Sequence, residues 1–371
     1  MATVERMSGR ALGRATLARQ HLLARSPGTA GEMVEHLFGL QSQAPLAPYY
    51  ALWARLERFA PADFAELLER REVVRMVLMR GTVHAVTAAD ALALRPWVQP
   101  IMDADLRMNT QHRKEIAAAD VPAVERFGRE VLERTPMTMA ALRPRLAEQW
   151  PDRDPVALAH AVRDLLPLVQ IPPRGLWGRS GQPICTTLES WLGAPLDRTI
   201  RPEALVLRYL AAFGPATVAD AQAWCGLTRL AEIFEALAPR LRRFVGENGA
   251  ELYDLPDAPR PDAATTAPAR ILAPFDSVLL GHADRSRVIA DDHRTLVFTV
   301  NGIIKPAVLI DGRVAGFVTV AARKGMASVE IATFVRPAAG TAAAMEAEAS
   351  RLLRFAHPGA DTHDVRFVAV E

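Results

Sequence analysis

Lysine is almost missing: three residues (Lys114, Lys305, Lys324) stand against 41 arginines in a chain of 371. Cysteine is as scarce, with only Cys185 and Cys225. Two thiols exclude a disulfide scaffold and do not complete a four-ligand zinc site, so the expected compartment is reducing, the cytoplasm. No apolar run approaches the ~18–20 residues that cross a bilayer. The start of the chain lacks the apolar stretch of a signal peptide. It carries five arginines (Arg6, Arg10, Arg14, Arg19, Arg25) against one acid, Glu5, a balance that a transit peptide shares. Leu12, Leu22 and Leu23 instead give that segment the apolar side of a surface helix. Neither a glycine-rich nucleotide loop after a strand nor a HExxH, EF-hand or GxSxG motif occurs. The nine histidines are scattered, so no metal and no cofactor is expected. Net charge is +2. Residues 1–200 hold 25 basic and 22 acidic side chains and residues 201–371 hold 19 and 20, so neither half is a basic domain. A nucleic-acid surface, if present, is a local stripe of arginines, whose planar fork suits phosphate and guanine edges.

Half of the residues are apolar and 23% are charged, which supports a folded chain of about two to three domains. An order of elements recurs. Pro202 to Phe213 reads as a helix closed by Gly214-Pro215. Thr217 caps a short helix through Cys225, and Thr228 caps a third over Arg229 to Leu241. RRFVGENGAELYDL then reads as two strands about Asn248-Gly249. Three helices and a hairpin are the order of a winged helix. The middle segment repeats it, with helices over 125–133, 138–149 and 154–166 before LVQIPPRGLWGRSGQPICTTL. The first segment repeats it again, with helices near 4–24, 29–38, 47–57 and 62–70 before strands about Arg80-Gly81. Residues 256–269 read as a linker. Beyond it, SVLLGH, LVFTV, AVLIDG, RVAGFVTVAA and ASVEIATF read as short β-rich runs, with a helix near 337–356 and a last strand, DVRFVAV, together a small, mostly antiparallel barrel or curled sheet with one helix. The expected class is α+β.

Four groups of residues invite a role. In Gly39-Leu40-Gln41-Ser42-Gln43-Ala44-Pro45, Pro45 pushes the preceding residue extended. Residues two apart in an extended segment point the same way, so Gln41 and Gln43 present two amides to one space. The same amides would serve equally to satisfy loose backbone groups at a helix end. Arg80, Thr82 and His84 alternate onto one face of the first hairpin, which is either a solvated face or a wing touching a phosphate backbone. His282, Arg285 and Arg287 lie in a loop that either forms local Asp–Arg pairs or faces an anion. Arg240, Arg242 and Arg243 precede the third hairpin, where they balance a helix dipole or touch DNA.

Four stretches together resemble the AlkZ-type winged-helix DNA glycosylases, of the same superfamily as the bacterial YcaQ-type enzymes. They are GLQSQAPLAPYYALWARL, LMRGTVHAVTAADA, LAPFDSVLLGHADRSRVI and NGIIKPAVLIDGRVAGF, within residues 39–317. The resemblance implies three tandem winged helices (1–120, 121–199 and 200–258) and a small C-terminal β-barrel (270–371). It implies a C-shaped molecule whose concave face receives duplex DNA. The family signature is a glutamine, one residue that is usually apolar, and a second glutamine, replaced by aspartate in the YcaQ branch. It falls here on Gln41, Ser42 and Gln43, with serine in place of the apolar residue. The family's typical tryptophan after DGRVAG is absent, since Phe317-Val318 stands there. For this chain the resemblance implies excision of N7-alkylated purines and unhooking of interstrand crosslinks, in repair or in self-resistance to a DNA-alkylating natural product. The DNA contacts expected from the residues themselves are Arg80, Thr82, His84, His282, Arg285 and Arg287, and the in-line units fit a monomer that needs no membrane.

That chemistry is consistent with two neutral amides. An N7-alkylated guanine already carries positive charge and leaves neutral, so no general acid is needed. The amides would position a water and face the sugar cation. Cationic adducts are then excised and neutral lesions such as uracil are not. With three lysines the enzyme is expected to be monofunctional, leaving an abasic site. Asp276 and Asp284 are further candidates to assist. Two readings compete: a winged-helix regulator, which would show sequence preference on undamaged DNA, and a protein that sequesters an alkylating drug without releasing a base.

Overall fold

The computed structural model describes residues 5–369. The chain opens with β1 (Glu5–Met7), α1 (Gly9–Arg19), α2 (Ala30–His36), the two-residue β2 (Leu40–Gln41), α3 (Ala47–Arg55) and α4 (Pro61–Glu69). The hairpin β3 (Val73–Val77) and β4 (Val83–Thr87) runs into the long α5 (Ala88–Met108). Helices α6 (Arg113–Ala117), α7 (Val121–Arg134), α8 (Met139–Gln149) and α9 (Pro155–Leu165) precede β5 (Leu168–Gln170) and β6 (Cys185–Thr187). Helices α10 (Leu188–Leu192), α11 (Pro202–Phe213), α12 (Val218–Cys225) and α13 (Ala231–Leu237) precede the hairpin β7 (Arg242–Gly246) and β8 (Glu251–Asp254). The last region comprises β9 (Arg270–Ile271), α14 (Ser277–Leu280), α15 (Asp291–Val297), β10 (Ala307–Ile310), β11 (Arg313–Arg323), β12 (Met326–Thr333), α16 (Ala339–Ala356) and β13 (Thr362–Ala369).

The helix starts follow local chemistry. Thr29 with Glu32 and Thr217 with Asp220 form capping boxes, and Ser8, Thr87, Asp120, Thr138 and Asp154 cap α1, α5, α7, α8 and α9. All three expected hairpins form, each after a run of helices. The tertiary pairing adds what periodicity does not contain. The first and second hairpins merge into one five-stranded sheet, ordered β2-β4-β3-β5-β6. The third hairpin takes β1 as a parallel partner. Helix α5, 21 residues long, lies under the merged sheet and holds two prolines within it; nothing in the periodicity singled it out.

Three expectations are corrected. The C-terminal strands form an open sheet, β13-β12-β11-β10-β9, and not a barrel. Closure would require β9 to pair with β13. β9 is two residues long, and α16 lies across that face, burying Met345, Ala349, Leu352 and Leu353 against Val308, Val318, Val329 and Ile331. The apolar run SVLLGH is largely helical, as α14, because Asp276 caps it, and of LVFTV only Leu296 and Val297 are helical, as the end of α15, while Phe298 forms an isolated bridge with Ile304. Helix α1 is no surface helix. Arg14 and Arg19 are each 2% exposed, and Arg19 grips the buried Asp254 at 2.6 and 2.8 Å. The segment 256–269 is tied to the same helix, with Arg10 Nε donating to the Ala263 carbonyl at 2.7 Å.

One further buried pair joins the first region of the chain to the last. Arg55 at the close of α3 donates to both oxygens of Asp276 at 2.7 and 2.8 Å, and both side chains are fully buried. It ties the helix after the glutamine segment to the start of α14, which Asp276 caps.

Candidate active site at the edge of the first sheet

The strand β2 is the edge of the merged sheet and pairs only with β4, Leu40 opposite Ala85 and Gln41 opposite His84. Gly39, with φ +97, turns the chain into it; a side chain there would strike Val86 and force the segment away. The ladder continues for one residue, Ser42 N–H donating to the Val83 carbonyl at 2.7 Å. Gln41, the last strand residue, is half-buried, Ser42 is buried and Gln43 is exposed.

Three groups gather around Gln41. Arg80 Nη2 donates to Gln41 Oε1 at 2.7 Å, which fixes the amide orientation because a guanidinium only donates. Arg80 Nη1 donates to the carbonyl of Trp224, near the end of α12. Arg80 adopts φ +56 at the tip of the first hairpin. Gly226 packs so closely on it that a Cβ would lie 2.9 Å from Arg80 Cα. An unfavourable backbone held by its surroundings marks a functional position more often than an ordinary turn. Burial, with the neighbouring Arg285 adding to it, lowers the Arg80 guanidinium to about 10, so it stays charged at neutral pH.

His84 lies 3.4 Å from Arg80 Nη2 through Nε2. Its Nδ1 sits 2.9 Å from the Thr82 carbonyl, which can only accept, so the proton is on Nδ1 and the Nε2 lone pair faces the guanidinium. Burial first, and then the Arg80 charge, pull His84 down to about 3, so it is neutral. Gln43 Oε1 accepts from Val83 N–H at 3.3 Å. Both glutamine carbonyls thus already hold a donor. Arg80 polarises the Gln41 amide and makes its NH2 the stronger hydrogen-bond donor.

Gln43, Arg80, Gly81 and Val83 form one wall of a cavity of about 580 Å³. Its far end carries residues that sequence reasoning did not select: Asp105 on α5, Asp164 and Arg163 on α9, and Gln170 on β5. His160 Nε2 lies 2.6 Å from Asp105 and 3.4 Å from Asp164. Burial raises Asp164, against the pull of Arg163, whereas Asp105, which burial would raise, is held low by its contact with His160 and by the nearby Arg163. Among the described residues these three are the only His, Cys, Asp or Glu set whose ligand atoms converge, within 4.8 Å. Arg163 occupies it as counter-ion, at 2.8 Å from Asp164 and 3.6 Å from Asp105. The signal for this cluster was the i, i+4 spacing of His160 and Asp164 on a helix that the sequence does show.

The structure therefore brings Gln41, Gln43, Arg80 and His84 together. Thr82 contributes its carbonyl, while its hydroxyl turns back to Met79 at 3.1 Å. It does not bring His282 or Arg287 of the loop after α14 to the surface. His282 is 1% exposed and bonded to the Phe213 carbonyl at 2.9 Å, and Arg287 is 5% exposed, donating to Pro215 at 2.8 Å beside Asp220. Their expected contact with phosphate is corrected, since both side chains fill the core. Arg285 is half-buried over the Phe298 ring at 4.8 Å. Neither Asp276, held by Arg55, nor the exposed Asp284, whose Oδ1 accepts from Ser286 N–H at 2.9 Å, touches Gln41.

Residues 34–355 match the model of the family described as DNA glycosylase AlkZ-like. An interstrand DNA cross-link repair glycosylase of Streptomyces sahachiroi is 27% identical over 335 residues, 81% of this chain and 84% of that protein. The solved structure of the Streptomyces sahachiroi DNA glycosylase AlkZ superposes with a TM-score of 0.80 at 21% identity, over 98% of this chain and all of the other. That likeness shows the fold. Among the described residues no helix is long and apolar enough to cross a membrane.

Proposed function

Because this chain belongs to the AlkZ-like DNA glycosylase family and is a DNA glycosylase, we propose that it hydrolyses the N-glycosidic bond of cationic N7-alkylated purines in duplex DNA, and that crosslinked purines are among its substrates. One observation carries the reading. Two neutral amides, Gln41 and Gln43, occur two residues apart where a sheet edge ends, Gln43 on the wall of an open cavity and Gln41 held by a charged arginine.

The reaction suits such a site. The C1′–N9 bond breaks and its electron pair neutralises the cationic base, so no acid is needed. Water adds to C1′, the proton goes to solvent, and an abasic sugar remains. Amides serve this step by placing the water and the sugar oxygens, not by taking up a proton. Arg80 strengthens the Gln41 NH2 for a sugar or phosphate oxygen. The relative's crosslink repair supports extension to crosslinks, and so does the open site. A tethered base cannot swing fully into a closed pocket. The reading further takes the chain as a monomer of three winged-helix units, curved around one duplex, with Arg80 and Arg285 at the DNA.

The test is base release from a duplex with a single N7-methylguanine, scored as alkali-sensitive sites against an enzyme-free control. Wild type is expected to release the base, with collapse in Gln41→Ala and Gln43→Ala and no action on uracil. Release undiminished in both variants, or none from either this duplex or a crosslinked one, overturns it.

A further inference from the structure

Behind the two glutamines sits a charge without an opposite charge. Arg75, in the middle of β3, is 2% exposed, and among the described residues no carboxylate pairs with it. Its guanidinium reaches across β4, where its register partner is Ala85, to the residue between the glutamines. Nε donates to Ser42 Oγ at 2.9 Å, Nη2 to the Ser42 carbonyl at 3.0 Å, and Nη1 to the Arg174 carbonyl at 3.4 Å. Gly175, with φ +92, makes room, since a Cβ there would lie 2.7 Å from Arg75 Cδ. The turn is itself locked, Tyr49 O–H donating to the Gly175 carbonyl at 2.9 Å and Trp177 N–H to the Tyr49 oxygen at 3.1 Å.

We propose that Arg75, acting through Ser42, is the positioning residue that fixes the Gln41–Gln43 segment for catalysis. The inference rests on the role given to those glutamines above. Burying a cation among neutral acceptors costs stability that an apolar residue of similar size would not. The sheet alone does not hold the segment: β2 lies at an edge, its ladder ends at Ser42, and Pro45 prevents continuation. Two of the three guanidinium bonds grip Ser42, one through the main chain and one through the side chain. They fix that residue's direction, and through the chain on either side the placement of both amides. Ser42 in the usually apolar place is the acceptor that Arg75 requires.

The experiment compares wild type, Arg75→Met, Arg75→Lys and Ser42→Ala with Gln41→Ala and Gln43→Ala. Three quantities are read: the single-turnover rate on N7-methylguanine duplex, the DNA Kd, and backbone hydrogen exchange over residues 39–46. Arg75→Met is expected to lower the rate by about tenfold or more, leave Kd within about twofold, and speed exchange in that segment. Ser42→Ala should move rate and exchange the same way by less, because the carbonyl bond survives, and Arg75→Lys should restore part of the rate. Where Arg75→Met does not fold, Ser42→Ala and Arg75→Lys decide. Wild-type rate and exchange in the folded variants overturn the proposal. Active glutamine variants would instead overturn the reading beneath it, and the exchange measurement reports on Arg75 even then.

Discussion

Two clusters of this molecule are built from the same residue types and do opposite things. Around Gln41, a histidine and an arginine face each other with no carboxylate partner, beside an open cavity. Around Asp220, another histidine and another arginine, His282 and Arg287, lie in the core with the carboxylate between them. In the second cluster the acceptors are used up: Asp220 takes two loop N–H groups at 2.9 and 3.3 Å, and Tyr209 O–H closes on Gly281 at 2.8 Å. In the first, the Arg80 charge is spent on an amide carbonyl and a main-chain carbonyl, so the positive field remains for a ligand. An arginine beside a histidine therefore says little; whether a carboxylate neutralises it, and what it buries, decides between cement and site.

The sharpest way to break the contrast is to remove the carboxylate. Asp220→Ala strands Arg287 in the core and should cost about 3–5 kcal/mol in urea unfolding, with DNA affinity unchanged where the protein stays folded. Arg80→Ala should invert that outcome. The single-turnover rate is expected to fall by about 10²-fold, and stability by only about 1–2 kcal/mol for the lost bonds.

Acid titration should treat the two clusters alike. Burial, together with the nearby arginines, depresses both His84 and His282 to about 3. Below the ordinary histidine value near 6.5 the unfolded chain takes up protons that the folded chain refuses. Stability is thus lost as pH falls through that value toward 3, and nothing is lost above it. At pH 5 each histidine should cost up to about 2 kcal/mol, and His282→Asn should flatten the dependence of the denaturation midpoint on pH. The smallest effect tests the link between helix and site. Thr217→Ala uncaps α12, whose far end holds Arg80, and should cost about 1 kcal/mol with a modest drop in base release.

Much of this was legible along the chain. Helix α12, capped by Thr217 and closed by Gly226, and all three hairpins follow from caps, glycines and alternation, whereas the third helix starts at Ala231 after an uncapped Leu230 and not at the expected Thr228 cap. Other features were not. SVLLGH carries the apolar content of a strand, yet the Asp276 cap makes it a helix. His282 and Arg287 look like a basic loop until Asp220, more than sixty residues earlier, meets them. Asp105 and Asp164 share a cavity with Gln43 only because α5 and α9 pack under the merged sheet.

By itself the sequence determined the local pieces and, through four stretches, the family. Those depend on neighbours a few residues apart, where capping, alternation and turn geometry act. Only the tertiary structure decided that the last sheet stays open, which arginines are cement, and that Arg75 stands behind Ser42. These depend on which distant group supplies each buried donor with its acceptor, and that is settled when the chain packs.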